Sequence, residues 1–292
     1  MRKDIKILVT GVKGQLGFDC INELNYRGYS NIIGVDIEEL DITDENAVNY
    51  FINQHKPDIL INNAAWTQVD KAEKCKDLVY KINALGPKYL AKACKKNDAK
   101  IIHISTDYVF NGKGNKPFET NSPKKGLSTY GITKSEGEDF VMRENEKYFI
   151  IRTTGVFGIN GNNFIKTMIK LADSGRKELS VVDDQIVSIT YTKDLAKLIC
   201  DMIETEKYGI YHAANQDYLS WYELAKEIFE LTNKNVIIKP VSTEEYMKLV
   251  PGQTRRPKNS RLSFNSLDEN GFKRLPNHLD ALKRYLLEIG EM

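Results

Sequence analysis

With 292 residues and 41% hydrophobic content, the chain can bury a sizeable core as one large domain or two lobes. Its net charge of +2 gives no field suited to nucleic acid or an anionic membrane, so neither is expected as a partner. No apolar run approaches the roughly 20 residues that span a bilayer, and Met1-Arg2-Lys3-Asp4 followed by a short apolar stretch leaves no room for a signal peptide, so a soluble cytoplasmic protein is expected.

Ile5 to Val9 reads as a β-branched strand, followed by Thr10-Gly11-Val12-Lys13-Gly14-Gln15-Leu16-Gly17 and a helical pattern toward Gly28. Strand, glycine turn and helix is the order a dinucleotide needs. Glycine lets backbone approach a ligand closely, and a helix N-terminus offers free N–H groups to a pyrophosphate. A plain tight turn is the alternative. The next strand, Asn31 to Val35, ends at Asp36, about 20 residues past the loop, where a carboxylate can accept hydrogen bonds from a ribose diol. Ile37-Glu38-Glu39 follows with no Arg or Lys. A 2′-phosphate would be repelled there, which favours NADH over NADPH.

Asp41-Ile42-Thr43 leads into a helix through Gln54, and Pro57 precedes a strand from Asp58 to Asn62. Strands alternating with helices at this spacing predict a doubly wound parallel α/β sheet of the Rossmann type, with ligands at the carboxyl ends of the strands. Asn62-Asn63-Ala64-Ala65 lies at such an end, where small residues let a cofactor pass. A helix of about 78–96 carries Asn83, and the strand Ile101 to Ile104 delivers Ser105-Thr106-Asp107-Tyr108 to the same edge. The Thr106 hydroxyl can hydrogen-bond a substrate oxygen there, or simply cap a turn. Asp107, adjacent to it in an extended segment, should point away.

A long loop, Asn111 to Gly126, precedes Tyr130-Gly131-Ile132-Thr133-Lys134. Loops of this length are usually functional or disordered. If the tyrosine stretch opens a helix, Tyr130 and Lys134 share a face one turn apart. A nearby ammonium would lower the phenol from its ordinary value near 10 and help it give a proton to a carbonyl oxygen. Tyr222 and Lys226 repeat the spacing, but they follow Ser220, whose relation to Glu223 is a capping box, so they read as surface and packing residues.

Tyr148 to Thr153 is a further buried strand, after which the alternation breaks down. Gly161-Asn162-Asn163-Phe164 precedes an amphipathic helix, and strand-like runs follow at Leu179 to Asp183, Ile189 to Tyr191 and Tyr208 to His212. The last of these returns to the main sheet. Ser242 and Glu245 form a second capping box. Arg255, Arg256, Lys258 and Arg261 punctuate 252–262, either as a solvated basic loop or as a diphosphate-binding segment, because arginine presents a fork of donors suited to phosphate. Cys20, Cys75, Cys94 and Cys200 are scattered and read as reduced core thiols. The four histidines are equally dispersed, with His103 packed in an apolar run, and no metal site is expected.

Taken together, Thr10-Gly11-x-x-Gly14-x-x-Gly17, Asn62-Asn63-Ala64-Ala65, Ser105-Thr106-Asp107 and Tyr130-x-x-x-Lys134 resemble the extended short-chain dehydrogenase/reductase superfamily. Ser105 to Phe110, Tyr130 to Glu138, Gly161 to Phe164 and Arg255-Arg256-Pro257-x-x-Ser260-Arg261-Leu262 are similar to the dTDP-4-dehydrorhamnose reductase family in particular, over essentially the whole chain.

That resemblance implies reduction of a nucleotide-linked 4-keto sugar, with Tyr130 donating the proton, Lys134 holding the nicotinamide ribose and Thr106 orienting the carbonyl. It implies cofactor contacts at Gly11, Gly14, Gln15, Leu16, Gly17, Asp36, Asp41, Ile42, Ala64, Ala65 and Asn83, as well as at Tyr130 and Lys134. Substrate contacts would fall at Thr106, Asp107, Tyr108, Asn163, Phe164, Arg255 and Arg256. A nucleotide-binding domain of 1–154 plus about 189–215, with a smaller mixed α/β substrate lobe of about 155–188 plus 216–292, is the expected division. Members accept NADH or NADPH, and some carry magnesium at a dimer interface, which makes a homodimer an expectation too. Gly155, where many relatives carry Trp, and Val187-Ser188-Ile189-Thr190, in place of Gly-x-Pro-Thr, depart from the family pattern. Two other readings remain: another nucleotide-sugar epimerase or dehydratase, and a non-catalytic partner similar to the regulatory β subunit of methionine adenosyltransferase.

Overall fold

The computed structural model describes residues 3–292; Met1 and Arg2, the start of the N-terminal stretch discussed above, lie outside the described residues. The first half of the chain runs β1 (Lys6–Thr10), α1 (Gln15–Tyr26), β2 (Asn31–Val35), α2 (Glu45–His55) and β3 (Ile59–Asn62). Short helices α3 (Val69–Ala72) and α4 (Lys76–Tyr80) lead to α5 (Gly86–Lys96), β4 (Lys100–Thr106), α6 (Thr129–Glu144) and β5 (Tyr148–Thr153). Beyond these come β6 (Val156–Phe157), α7 (Phe164–Asp173), β7 (Glu178–Val182), β8 (Ile186–Val187), β9 (Thr190–Tyr191), α8 (Thr192–Ile203) and β10 (Gly209–His212). The remainder is β11 (Leu219–Ser220), α9 (Trp221–Leu231), β12 (Ile237–Val241), α10 (Thr243–Leu249), β13 (Asn259–Ser260), α11 (Asn265–Glu269) and α12 (His278–Glu288).

Six strands form one parallel sheet in the order β10-β5-β4-β3-β1-β2. Alternate residues of each strand feed opposite cores, as period-two geometry requires. Ile7, Val9, Ile61, Ile102 and Phe149 join Cys20 and Leu24 of α1 and Leu195 and Ile199 of α8 on one face. Leu8, Leu60, Ile101 and Ile150 join Ile52 of α2, Leu90 of α5 and Val141 of α6 on the other. The sheet is doubly wound, and chain order reverses direction between β1 and β3, which opens a crevice at their carboxyl ends.

A second apolar core gathers Ile165 and Ile169 of α7, Leu224 and Ile228 of α9, and Leu282, Tyr285 and Leu286 of α12 around Val187, Ile189 and Tyr191. Small sheets β11-β8-β13, β12-β7 and β6-β9 frame it. Both capping boxes form, at Ser220 with Glu223 and at Ser242 with Glu245.

Two expectations need correction. The helix read over about 78–96 is interrupted: Lys81–Leu85 widens into a π-turn, and Asn83 sits in it. Nor are all four cysteines core thiols, because Cys75 is exposed at the N-terminus of α4. The 111–126 loop is held by Phe118, whose N–H donates to Arg261 O (2.9 Å) and whose carbonyl accepts from Ser263 N–H (2.9 Å). No helix among the described residues is long and apolar enough to cross a membrane.

Burial pushes the thiols of Cys20, Cys94 and Cys200 upward, away from the reactive thiolate. Under native conditions a thiol-exchange reagent should therefore titrate one cysteine per chain rapidly, and a Cys75→Ser variant should show no fast phase.

Candidate active site

A single cavity of about 1140 Å³ runs along the carboxyl ends of the sheet strands and out between the two cores. Its floor is the β1–α1 turn. Gly11 adopts φ +68°, and a side chain there would place Cβ 2.8 Å from Ala64 N. At Gly17 a Cβ would lie 2.1 Å from Gly11 O. Gly14 precedes α1 with no side-chain cap, so the first N–H groups of that helix stay free toward the cavity that Gln15, Leu16 and Gly17 line. These features fit a dinucleotide: a cradle that only glycine permits and a helix N-terminus for the pyrophosphate. Among the described residues no cluster of His, Cys, Asp and Glu is placed to hold a metal.

At the far end of that floor, Asp36 lines the cavity. Its Oδ2 accepts the Lys13 backbone N–H (2.9 Å), and its Oδ1 accepts that of Ile37 (2.9 Å). Folding also brings the Lys13 ammonium to Glu38 (2.8 Å). The acidic run after Asp36 therefore has a cation beside it that sequence adjacency did not reveal. Asp41 and Ile42 line the same end, as do Ala64 and Ala65 after β3. Asn83 does not reach the cavity. Its Oδ1 accepts the Trp66 N–H (2.8 Å) and its Nδ2 donates to Trp66 O (3.1 Å), so it fixes the segment that carries Ala64 and Ala65.

Tyr130 and Lys134 stand on the first two turns of α6, which Ser128 caps through the Gly131 N–H (3.2 Å). Lys134 is buried, and its ammonium donates to Ile104 O (2.5 Å) and lies 3.5 Å from His103 Nε2. His103 is held neutral by burial and by the Lys134 charge, and its Nδ1 faces Asn62 Nδ2 (3.1 Å). Desolvation pulls Lys134 down to about 8. The Tyr130 phenol moves the other way: burial pushes it up to about 12 against the pull of the Thr106 hydroxyl. The expected lowering by Lys134 is thus absent in the free protein, where the ammonium is engaged by the β4 carbonyl.

Of the two roles considered for Thr106, the structure shows the turn cap. Its Oγ1 accepts the Tyr108 N–H (3.2 Å), capping the turn Asp107–Val109, and it also lines the cavity beside Tyr130. Because the chain turns here instead of staying extended, Asp107 does not point away: Thr106 Oγ1 donates to Asp107 Oδ1 (3.2 Å). Asp107 is buried and pushed up to about 6 by desolvation, against the hydroxyls of Ser260, Thr154 and Thr106. Tyr108 packs edge-on to Tyr130, with ring centroids 5.6 Å apart.

The outer half is apolar. Phe164 and Trp221 meet at 4.7 Å between ring centroids, facing Gly155, Val187 and Ile189. Gly155 has φ +55°, and a Cβ there would come within 2.7 Å of Ser188 O, so the family's bulky residue does not fit this backbone. Trp221 was missed because it opens a well-capped amphipathic helix and carries no pattern of its own. Asn163 does not line the cavity; its Nδ2 donates to Gln15 Oε1 (3.0 Å), Gly158 O (3.1 Å) and Tyr285 Oη (2.9 Å). Arg255 pairs with Glu244 (2.9 Å) and Arg256 with Asp70 (2.8 Å), while the neighbouring Pro257 and Ser260 supply the lining.

Comparison with known proteins places these features in a family. Residues 5–290 match the model for the RmlD substrate binding domain. The chain is 41% identical to the spore coat polysaccharide biosynthesis protein SpsK of Bacillus subtilis, over 97% of each chain. It is 37% identical to a dTDP-4-dehydrorhamnose reductase of Aggregatibacter actinomycetemcomitans, over 90% of this chain and 92% of the other. A crystal structure of dTDP-4-dehydrorhamnose reductase from Bacillus anthracis in complex with NADP superposes with a TM-score of 0.93 at 42% identity, covering 98% and 99% of the two chains.

The raised Asp107 carboxyl has a measurable consequence for stability. A folded-state value near 6, above the ordinary carboxyl value of 3.8, means that this group's contribution is fully present below about 3.8 and is lost as pH rises through about 6. Asp107→Asn should therefore stabilise the free protein by about 2–3 kcal/mol at pH ~8 in urea titrations, with the gain shrinking below pH ~5. A gain that stays constant with pH would rule out ionisation as its source.

Proposed function

The chain belongs to the RmlD substrate binding domain family, and on that premise we propose that it reduces the 4-keto group of dTDP-4-dehydro-β-L-rhamnose to give dTDP-L-rhamnose, the last step of dTDP-rhamnose synthesis. It is an oxidoreductase of the dTDP-4-dehydrorhamnose reductase family that works with a nicotinamide cofactor. The observation that carries the finer reading is the convergence of the Tyr130 phenol, the Thr106 hydroxyl and the buried Lys134 ammonium at the point where the glycine cradle meets the apolar outer cavity.

In this reading Gly11, Gly14 and Gly17 admit the cofactor's diphosphate to the N-terminus of α1, and Asp36 accepts from the adenosine ribose. When bound, the reduced nicotinamide supplies a hydride to the sugar carbonyl carbon. Tyr130 gives its proton to the carbonyl oxygen, which Thr106 orients through its hydroxyl. A phenol pushed up to about 12 is protonated throughout the neutral range, as a proton donor must be. Lys134 holds the nicotinamide ribose and returns positive charge to the phenolate as it forms. The sugar rests against Phe164 and Trp221, and the diphosphate against Arg255, whose exposed pair with Glu244 exchanges at little cost, and Arg256, which first gives up its less exposed pair with Asp70. The division into a nucleotide-binding domain and a substrate lobe, with the boundaries given above, is part of the same proposal.

NADH remains the favoured donor. Lys13 is engaged by Glu38, and Asp36 and Glu39 leave the rim negative, which disfavours a 2′-phosphate. One observation favours a second reading, a nucleotide-sugar epimerase or dehydratase: Asp107, poised near 6 beside Thr106, can exchange protons at neutral pH. Such enzymes keep their cofactor through the cycle, so cofactor that survives purification and is not consumed would favour it.

Tyr130→Phe should lower turnover with dTDP-4-dehydrorhamnose by about 10²- to 10⁴-fold while NADH affinity, read by fluorescence titration, stays within a small factor. Retained turnover would sink the assignment. With the intact protein, oxidation should be stoichiometric with dTDP-L-rhamnose formed, and kcat/KM should be higher with NADH than with NADPH. Asp36→Ala should narrow that difference.

A further inference from the structure

Glu138 lies one turn beyond Lys134 on α6, is fully buried, and does not line the cavity. Both carboxylate oxygens are committed. Oε1 accepts from Ser105 Oγ (2.5 Å) and Arg152 Nε (2.8 Å), and Oε2 accepts from Arg152 Nη2 (2.8 Å) and Lys124 Nζ (3.3 Å). Arg152, itself 1% exposed, continues to Thr120 O (2.9 Å) in the long loop and to His212 Nε2 (3.3 Å) on β10. One carboxylate thus joins α6 to β4, β5 and the loop that precedes the helix. Taking such charges out of water costs several kcal/mol per ion before pairing offsets it. Well-packed apolar residues of similar volume would often serve stability as well, so the pair calls for another role.

We propose that Glu138 is a positioning residue for the reductase chemistry: it fixes Tyr130 and Lys134 of α6 against Thr106 of β4, and it supplies the counter-charge that keeps the buried Lys134 ammonium protonated. This rests on the role given to Lys134 above. The positional half follows from the hydrogen bonds. Ser105 immediately precedes Thr106, so the Ser105–Glu138 bond sets where the β4 end lies along the helix.

The electrostatic half follows from what surrounds Lys134. From β4 it meets the Ile104 carbonyl and the neutral His103, and on its own helix Glu138 stands one turn further on. Asp107 acts on Tyr130, and Arg152 and Lys124 are held by the oxygens of Glu138. Glu138 is the charge that acts on Lys134, in the direction that opposes burial.

The test is the alkaline limb of the kcat–pH profile, which a merely structural carboxylate would not move. Glu138→Gln is measured alongside Glu138→Gln/Arg152→Met, which leaves no stranded guanidinium, and Glu138→Asp, which keeps the charge on a shorter stem. In the glutamine variants the limb should move toward neutral pH, and a move of about one pKa unit from about 8 lowers the ratio of kcat at pH ~8.5 to kcat at pH ~6.5 about sixfold. NADH affinity by fluorescence should weaken over the same interval. Glu138→Asp should lower kcat at every pH and leave the limb in place. A folded double variant with an unmoved limb, or an aspartate variant that shifts it as glutamine does, would overturn the inference. Lys134→Arg separates the two levels. If the limb persists there, it is not the lysine's and the reading of Lys134 fails; if it vanishes there but ignores Glu138, only the present inference fails.

Discussion

Everything at this site depends on how closely α6 lies against its neighbours. A Cβ at Gly137 would fall 2.2 Å from Asn83 O, and one at Gly131 would fall 2.1 Å from Tyr108 O. Backbone oxygens of the π-turn and of the turn after β4 occupy the volume that side chains would need. That contact brings Tyr130 beside Thr106, sinks Lys134 beneath the surface, and leaves Asn83 within reach of the Trp66 backbone. A helix standing off by the usual 8–10 Å between helix axes would surround these groups with side chains and water instead.

Such close packing means that desolvation, more than any single charge, sets the proton affinities. Lys134 falls to about 8, Asp107 rises to about 6 and Tyr130 rises to about 12, with burial the leading cause each time. The shifts push Lys134 and Asp107 toward neutrality while keeping the phenol a proton source. Preorganised dipoles and hydroxyls can then act on a developing charge without water competing for them. An ammonium that rests on the Ile104 carbonyl in the free protein is available to a ribose or a phenolate as soon as either presents a better acceptor.

Much of this was legible in the chain because the parts that carry it are local. Strand, glycine turn and helix lie within residues 6–26, and the Tyr130/Lys134 pair within one helical turn. The sheet could be read from buried strands at helix-length spacing. What escaped was set by long-range packing. The π-turn at Lys81–Leu85 has no signature beyond an apolar helical run, and the turn at Asp107 reverses the direction a strand would give its side chain. Lys13 meets Glu38 only because β1 and β2 are paired. Trp221 reaches the cavity through the packing of α9 on α7.

The basic segment shows how partners in the free protein bear on a binding reading. Arg255 and Arg256 do not line the cavity, yet they differ in what holds them. Arg255 pairs with Glu244 at the surface, both more than half exposed, and a pair of that kind contributes about 0–1 kcal/mol. Arg256 is 19% exposed and shares Asp70 with the Thr254 backbone N–H, so the carboxylate also tethers the segment to α3 at the cavity rim. A diphosphate arriving at that rim meets one guanidinium that is nearly free to turn and another that must first give up a partly buried partner. The two arginines therefore cannot contribute equally to binding: Arg255 can add charge with little reorganisation, whereas Arg256 can do so only as the tether to Asp70 loosens.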